Sequence, residues 1–187
     1  MLLVISGPSG VGKTTITHEV VKQLQGVFSV SLTSRPASAT DRDGVDYHFV
    51  TAQEFIRRRD AGELLEWADV FGNYYGTPRQ PVEKALSEGR LMILEIDVQG
   101  AIQIKHNLPQ AFAIFILPPS EDVLLERLRK RQREDESVIQ RRFAKAKHEI
   151  EKARQSGAYD RFVVNDNLAE AIDQVIREVK VEMARRG

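Results

Sequence analysis

The sequence predicts an α/β fold, a five-stranded parallel sheet flanked by helices on both faces, and three observations carry that prediction. Short apolar runs rich in β-branched and aromatic residues alternate with amphipathic helical patterns, as they do in doubly wound sheets. A glycine-rich octapeptide, Gly7-Pro8-Ser9-Gly10-Val11-Gly12-Lys13-Thr14, follows the first of those runs directly. The alternation breaks once, between Ser34 and Pro78, in a segment that reads as an inserted lobe.

The core strands are expected at Leu2–Ser6, Phe28–Thr33, Leu91–Ile96, Phe112–Leu117 and Arg161–Val164. Helical patterns occupy Thr14–Leu24, Pro81–Glu88, Glu121–Arg131, Val138–Gln155 and Leu168–Ala184. In the last, Leu168, Ile172, Val175, Ile176, Val179 and Met183 recur at helical spacing and mark a core-facing stripe. Within the interruption, Pro36, Gly44, Gly62, Gly72 and Gly76 punctuate extended stretches at Tyr47–Val50 and Leu64–Val70. A lobe placed after the second strand hangs over the carboxyl ends of the strands, where open α/β sheets bind ligands. One domain is expected, with a core of 1–33, 79–120 and 143–187, a lobe of 34–78 and a lid of 121–142.

With 187 residues, 42% of them hydrophobic, the chain can bury a substantial core. Lys plus Arg equals Asp plus Glu at 27 each, so no overall field draws it to nucleic acid or to an anionic membrane. The absence of cysteine excludes disulfides and thiolate chemistry and fits a cytoplasmic protein. His18, His48, His106 and His148 lack metal-ligand spacing. Met1–Ile5 is too short and uncharged for a signal peptide, and no stretch approaches the ~20 apolar residues of a membrane span. Composition leaves monomer and homodimer both open.

The octapeptide carries the first chemistry. Its three glycines let backbone N–H groups converge on phosphate oxygens, and the helix that opens near Lys13 adds its positive dipole end. This is the strand–loop–helix context of a P-loop. Lys13 would reach the β- and γ-phosphates, and the Thr14 hydroxyl stands where a magnesium ligand is needed, with Thr15 beside it. The apolar strand Leu91–Leu94 runs into Glu95-Ile96-Asp97, and alternation along a strand sends both carboxylates to one face, toward metal or substrate. Arg127 and Arg131, four apart on a helix, share a face, and Arg142 enters from the next helix. Together they read as a lid that closes cations on a transferring phosphoryl group.

These motifs, with VSLTSR, DYHF, LLEWADVFGNYYGTP, ILEIDVQG, PPS and VVND, resemble guanylate kinase over Leu3 to about Asn167. The resemblance implies a P-loop kinase fold with an NMP-binding lobe and a helical lid, moving the γ-phosphoryl of ATP to GMP, and to dGMP as a further acceptor, with Mg2+. It assigns guanine to Ser31, Glu66, Thr77 and Asp97, and the GMP phosphate to Arg35, Tyr47 and Tyr75. ATP falls to Gly7 through Thr15, with Arg131 and Asn165 near adenine. Catalysis falls to Lys13, Arg35, Arg127, Arg131 and Arg142, and the metal to Thr14, Glu95 and Asp97. The base assignment makes chemical sense: guanine offers a carbonyl acceptor beside N1–H and N2–H donors, which hydroxyls and carboxylates complement. Adenine reverses that pattern, and such a mismatch discriminates by about 10⁴-fold or more.

Two departures from the family pattern stand out. The second phosphate-binding arginine is replaced by Ser38, a loss of about 1–3 kcal/mol at a desolvated site, and Arg42 is the nearest basic residue to compensate. Glu95 stands where aspartate is usual. A P-loop kinase for another nucleoside monophosphate would not need Ser31, Glu66 and Thr77 together. A guanylate-kinase-like interaction module, catalytically weak, would typically lack the intact phosphate loop.

Overall fold

Five successive buried residues, Leu2–Ser6, leave the first strand no solvent-facing side, which places it at the centre of a covered sheet. The computed structural model describes residues 1–70, 72–130 and 135–186. In chain order its elements are β1 (Leu2–Ser6), α1 (Lys13–Leu24), β2 (Val27–Phe28), β3 (Leu32–Thr33), β4 (His48–Phe49), α2 (Ala52–Asp60), β5 (Leu64–Val70) and β6 (Asn73–Pro78). They continue with α3 (Arg79–Ser87), β7 (Met92–Glu95), α4 (Val98–Asn107), β8 (Phe112–Leu117), α5 (Glu121–Lys130), α6 (Glu136–Gln155), β9 (Arg161–Val164) and α7 (Leu168–Arg186).

The main sheet has the order β2-β7-β1-β8-β9, and every pairing in it is parallel. Ile5 pairs with both Glu95 and Ile114, so β1 delivers its carboxyl end between two neighbours and the loop that follows sits over a crevice. Alternation divides the core into two layers: Leu3 and Ile5 pack with Ile16, Val20, Val175 and Val179 of α1 and α7, while Leu2 and Val4 pack with Val82, Ala101 and Ile104 of α3 and α4.

A second sheet, β4-β3-β6-β5, is antiparallel except for the β3–β4 pair and has its own small core of Leu32, Phe55 and Leu64 with Trp67 and Tyr74 packed on it. The run Phe28–Thr33, expected as one core strand, is divided between the two sheets. Val27–Phe28 pairs with β7, and Leu32–Thr33 pairs with β4 and β6. The alternation of FSVSLT persists through the crossover, so a change of partner leaves no mark in the pattern. Strand β5 is fastened to the core by α4: Gln103 accepts from the Trp67 amide at 3.3 Å and donates to its carbonyl at 2.7 Å, and Asn107 donates to Leu65 O at 3.3 Å.

Helices α5 and α6 pack through Leu124 and Leu128 against Ile139 and Ala146. Two helices were not anticipated from sequence, α2 and α4. Thr51 caps α2 by accepting from the Glu54 amide, and Asp97 caps α4 by accepting from the Gly100 amide. Among the described residues no helix is long and apolar enough to cross a membrane.

Candidate active site

The loop between β1 and α1 owes its shape to three glycines at positive φ. Gly7, Gly10 and Gly12 have φ of 153°, 87° and 96°; a Cβ on Gly7 would lie 2.6 Å from Ile116 O, and one on Gly12 would lie 2.6 Å from Asn165 Nδ2. Asn165, predicted for ATP, is buried and donates through Nδ2 to Val11 O at 2.7 Å, so it braces the loop from the end of β9. Lys13 opens α1 and turns its ammonium back over the loop, 2.6 Å from Gly7 O and 3.2 Å from Pro8 O. Thr14 and Thr15 are exposed in the first helical turn.

The Thr14 hydroxyl donates to Glu95 Oε1 at 2.8 Å, which joins the loop to the end of β7. Among the described residues no group of three or more His, Cys, Asp or Glu side chains is arranged to hold a metal. Magnesium at a phosphoryl-transfer site needs few protein oxygens, because phosphates and water complete its octahedron. The Thr14–Glu95 pair fits that requirement. Asp97 is placed differently, since its Oδ1 accepts from Gly100 N at 2.9 Å and its Oδ2 is buried without a partner among the described residues.

From α6, Arg142 reaches the loop, with Nη2 donating to Ser9 Oγ at 2.6 Å. Arg127 instead holds the turn after β9, donating to the carbonyls of Asn165 at 2.9 Å and Asp166 at 3.4 Å. Arg131 lies outside the described residues.

A cavity of about 420 Å³ runs from the phosphate loop to the second sheet. Gly7, Ser9, Lys13 and Arg142 line one end, and Ser31, Tyr47, Glu66 and Tyr75 the other, with Glu95 and Asp97 between them. Glu66 is 5% exposed, and burial pushes its carboxyl up to about 7 against the opposing hydrogen bond from Thr77. Thr77 is fully buried and donates its hydroxyl proton to Glu66 Oε1 at 2.6 Å, so it stands behind the carboxylate. A larger cavity, about 610 Å³ on the side of α2 and α3, contains none of the predicted site residues.

Arg35 lies beside the main cavity, 5.4 Å from the Tyr47 ring centroid and 5.6 Å from that of Phe49. Its Nη1 donates to Pro36 O and to Asp41 Oδ2, both at 2.9 Å. Asp41 also accepts from the Ser38 amide at 2.6 Å, and these two donors hold its carboxyl down to about 2. Tyr47 meets Tyr75 edge-on at 5.7 Å, and burial pushes its phenol up. Arg42, 73% exposed, places Nε 3.5 Å from Asp46 Oδ2.

Sequence reading missed Glu149, which is buried, lines the same cavity, and has its carboxyl raised first of all by burial. The signal was present: Glu149 follows Arg142 by seven residues, two helical turns, and so shares its face.

A family model described as guanylate kinase matches residues 1–182. The chain is 50% identical over 177 residues to a guanylate kinase of Gloeobacter violaceus, covering 94% of this chain and 85% of that protein. It is 46% identical over 188 residues to a guanylate kinase of Rhizobium etli, covering 100% and 84%. Among solved structures, a guanylate kinase from Anaplasma phagocytophilum superposes with a TM-score of 0.79 at 34% identity, over 97% of this chain and 85% of that one.

Proposed function

The chain belongs to the guanylate kinase family, an ATP:GMP phosphotransferase by that membership, and from this premise we propose how its cleft performs the transfer. The observation that carries the proposal is a single cavity with the phosphate-loop lysine at one end and a buried carboxylate at the other. ATP lies with its phosphates on the loop amides and Lys13. Displacing the Lys13 ammonium from the Gly7 and Pro8 carbonyls onto phosphate oxygens exchanges neutral acceptors for charged ones, which favours the bound state. By the family pattern, the adenine is assigned to Asn165 and Arg131. Thr14 and Glu95, with Asp97, would hold Mg2+, which would supply charge neutralisation to the phosphates.

GMP takes the opposite end. Glu66 and Asp97 accept from N1–H and the amino group, and Ser31 donates to the carbonyl oxygen. Thr77, whose hydroxyl already serves Glu66, acts by aiming that carboxylate. Arg35, Tyr47 and Tyr75 hold the phosphate, and Arg42 leaves Asp46 to supply the charge that Ser38 cannot. The attacking oxygen is already anionic near neutral pH, so no general base is required. Lys13, Arg35, Arg127, Arg131 and Arg142 stabilise charge on the transferring group, and closure of lobe and lid excludes water as a competing acceptor. We propose the cytoplasm as the site of this purine nucleotide chemistry.

An ADP-release assay across nucleoside monophosphates tests the reading. GMP should turn over fastest, dGMP next, and AMP, CMP, UMP and TMP at background. Comparable turnover of AMP or TMP would remove the base assignment.

A further inference from the structure

The first turn of α4 contains Gly100, a residue type that local propensity disfavours inside a helix. Backbone conformation gives no reason for it, because Gly100 is not among the glycines at positive φ. Its surroundings do. A Cβ built at this buried position would collide with Glu66 Oε2, would lie 2.9 Å from Glu66 Cδ, and would lie 3.4 Å from Ile96 Cδ1. Ile96 can give a few tenths of an ångström. Glu66 cannot give freely, since its other oxygen is bonded to Thr77 at 2.6 Å and its backbone belongs to β5, whose neighbours Leu65 and Trp67 are tied to α4.

The same residue also touches the second acid. Its amide donates to Asp97 Oδ1 at 2.9 Å, which fixes the rotation of that carboxylate and leaves Oδ2 as the acceptor with no partner among the described residues. One residue without a side chain therefore governs both carboxylates, through its amide for Asp97 and through the space it leaves for Glu66. We propose that Gly100 is a positioning residue for base selection: its missing side chain is the space in which the Glu66 carboxylate stands. This deepens the functional reading above and rests on Glu66 and Asp97 receiving the guanine edge.

The test is steady-state kinetics on Gly100→Ala, Glu66→Asp and the double variant, with GMP and AMP as acceptors. Alanine is the better helix former, so a purely local role for Gly100 would leave kinetics unchanged and stability equal or higher. We expect Gly100→Ala to raise the KM for GMP about tenfold or more and to lower the preference for GMP over AMP by a similar factor. The KM for ATP should stay within twofold. Shortening the acid relieves the collision, so Glu66→Asp should cost less in the Gly100→Ala background than in the parent, or improve it outright. If Gly100→Ala does not accumulate as folded protein, recovery of the fold in the double variant supports the same conclusion, and failure of both overturns it. An unchanged KM for GMP in Gly100→Ala, while Glu66→Asp raises it, would overturn the role of Gly100 alone. An unchanged KM in Glu66→Asp would instead remove the guanine reading on which it rests.

Discussion

Thr77 Oγ1 donates to Glu66 Oε1 at 2.6 Å, and both residues are buried where the second sheet meets α4. A hydroxyl that stabilises the ionised form is thereby set against burial that opposes it, and burial prevails, leaving Glu66 at about 7 against an ordinary 4.5. Between those values the folded protein retains a proton that the unfolded chain has lost. The contribution of Glu66 to stability therefore falls as pH rises from about 4.5 to about 7, by about 3 kcal/mol over the window. Urea unfolding of the parent and of Glu66→Gln should show the parent losing ground to the variant as pH rises from 5 to 7. Parallel curves would show that Glu66 does not titrate there.

The same residue links acceptor binding to protons. A guanine edge that donates to Glu66 selects the carboxylate, so GMP binding near pH 6.5 should release a proton, and at pH 9 it should not. Calorimetry in two buffers of different ionisation enthalpy measures this directly. Buffer-independent heats at pH 6.5 would contradict it.

Lys13 donates to the Gly7 and Pro8 carbonyls at 2.6 and 3.2 Å, and a neutral-acceptor bond contributes about 1 kcal/mol. Lys13→Ala should lower Tm by about 2–4 °C while reducing kcat about 10³-fold or more. Substantial retained turnover would reject its role on the phosphates.

Arg42 pairs with Asp46 at 3.5 Å and is 73% exposed. Exposed pairs contribute about 0–1 kcal/mol, so Arg42 can leave Asp46 at little cost when a phosphate dianion arrives. Arg42→Ala should raise the KM for GMP more than twofold and leave the KM for ATP unchanged. A change within twofold would mean that Ser38 goes uncompensated.

Gly12 and Gly62 both lie at positive φ, 96° and 72°, yet only the first is crowded, by Asn165 Nδ2. Gly62→Ala should cost about 1 kcal/mol of backbone strain and leave kinetics alone. Gly12→Ala should cost more in thermal melting and raise the KM for ATP, because Asn165 must move off the loop. Equal effects of the two would show that strain, and not the Asn165 contact, governs the loop.

The main sheet was legible because its strands are short, apolar and separated by helices of one-sided pattern; the expected and observed limits agree for Leu2–Ser6, Phe112–Leu117 and Arg161–Val164. Helix α4 was not, since its buried residues Val98, Gly100, Ala101 and Ile104 face both the main sheet and β5, which spreads the apolar pattern around the helix. Helix α2 buries only Phe55 and so offers no stripe, although Thr51 with Glu54 three residues later was a readable capping signal. At the site, Lys13, Thr14, Glu95 and Asp97 could be read from spacing along one strand or loop. Glu66 and Thr77 could be paired only through an antiparallel register, and Glu149 only through the face it shares with Arg142.

The seam between β5 and α4 has a mechanical meaning. Leu65 and Trp67, on either side of Glu66, are bolted to a helix of the main layer, whereas Arg35 and Tyr47 sit across the smaller sheet beyond that fastening. The β5–α4 seam therefore anchors the strand that carries Glu66, so on the assignment proposed above the wall facing the purine is the one fastened to the main layer and the wall facing the monoester is the one farther from it. On that assignment, identity is judged at a fixed jamb and any closing motion belongs to the leaf across from it.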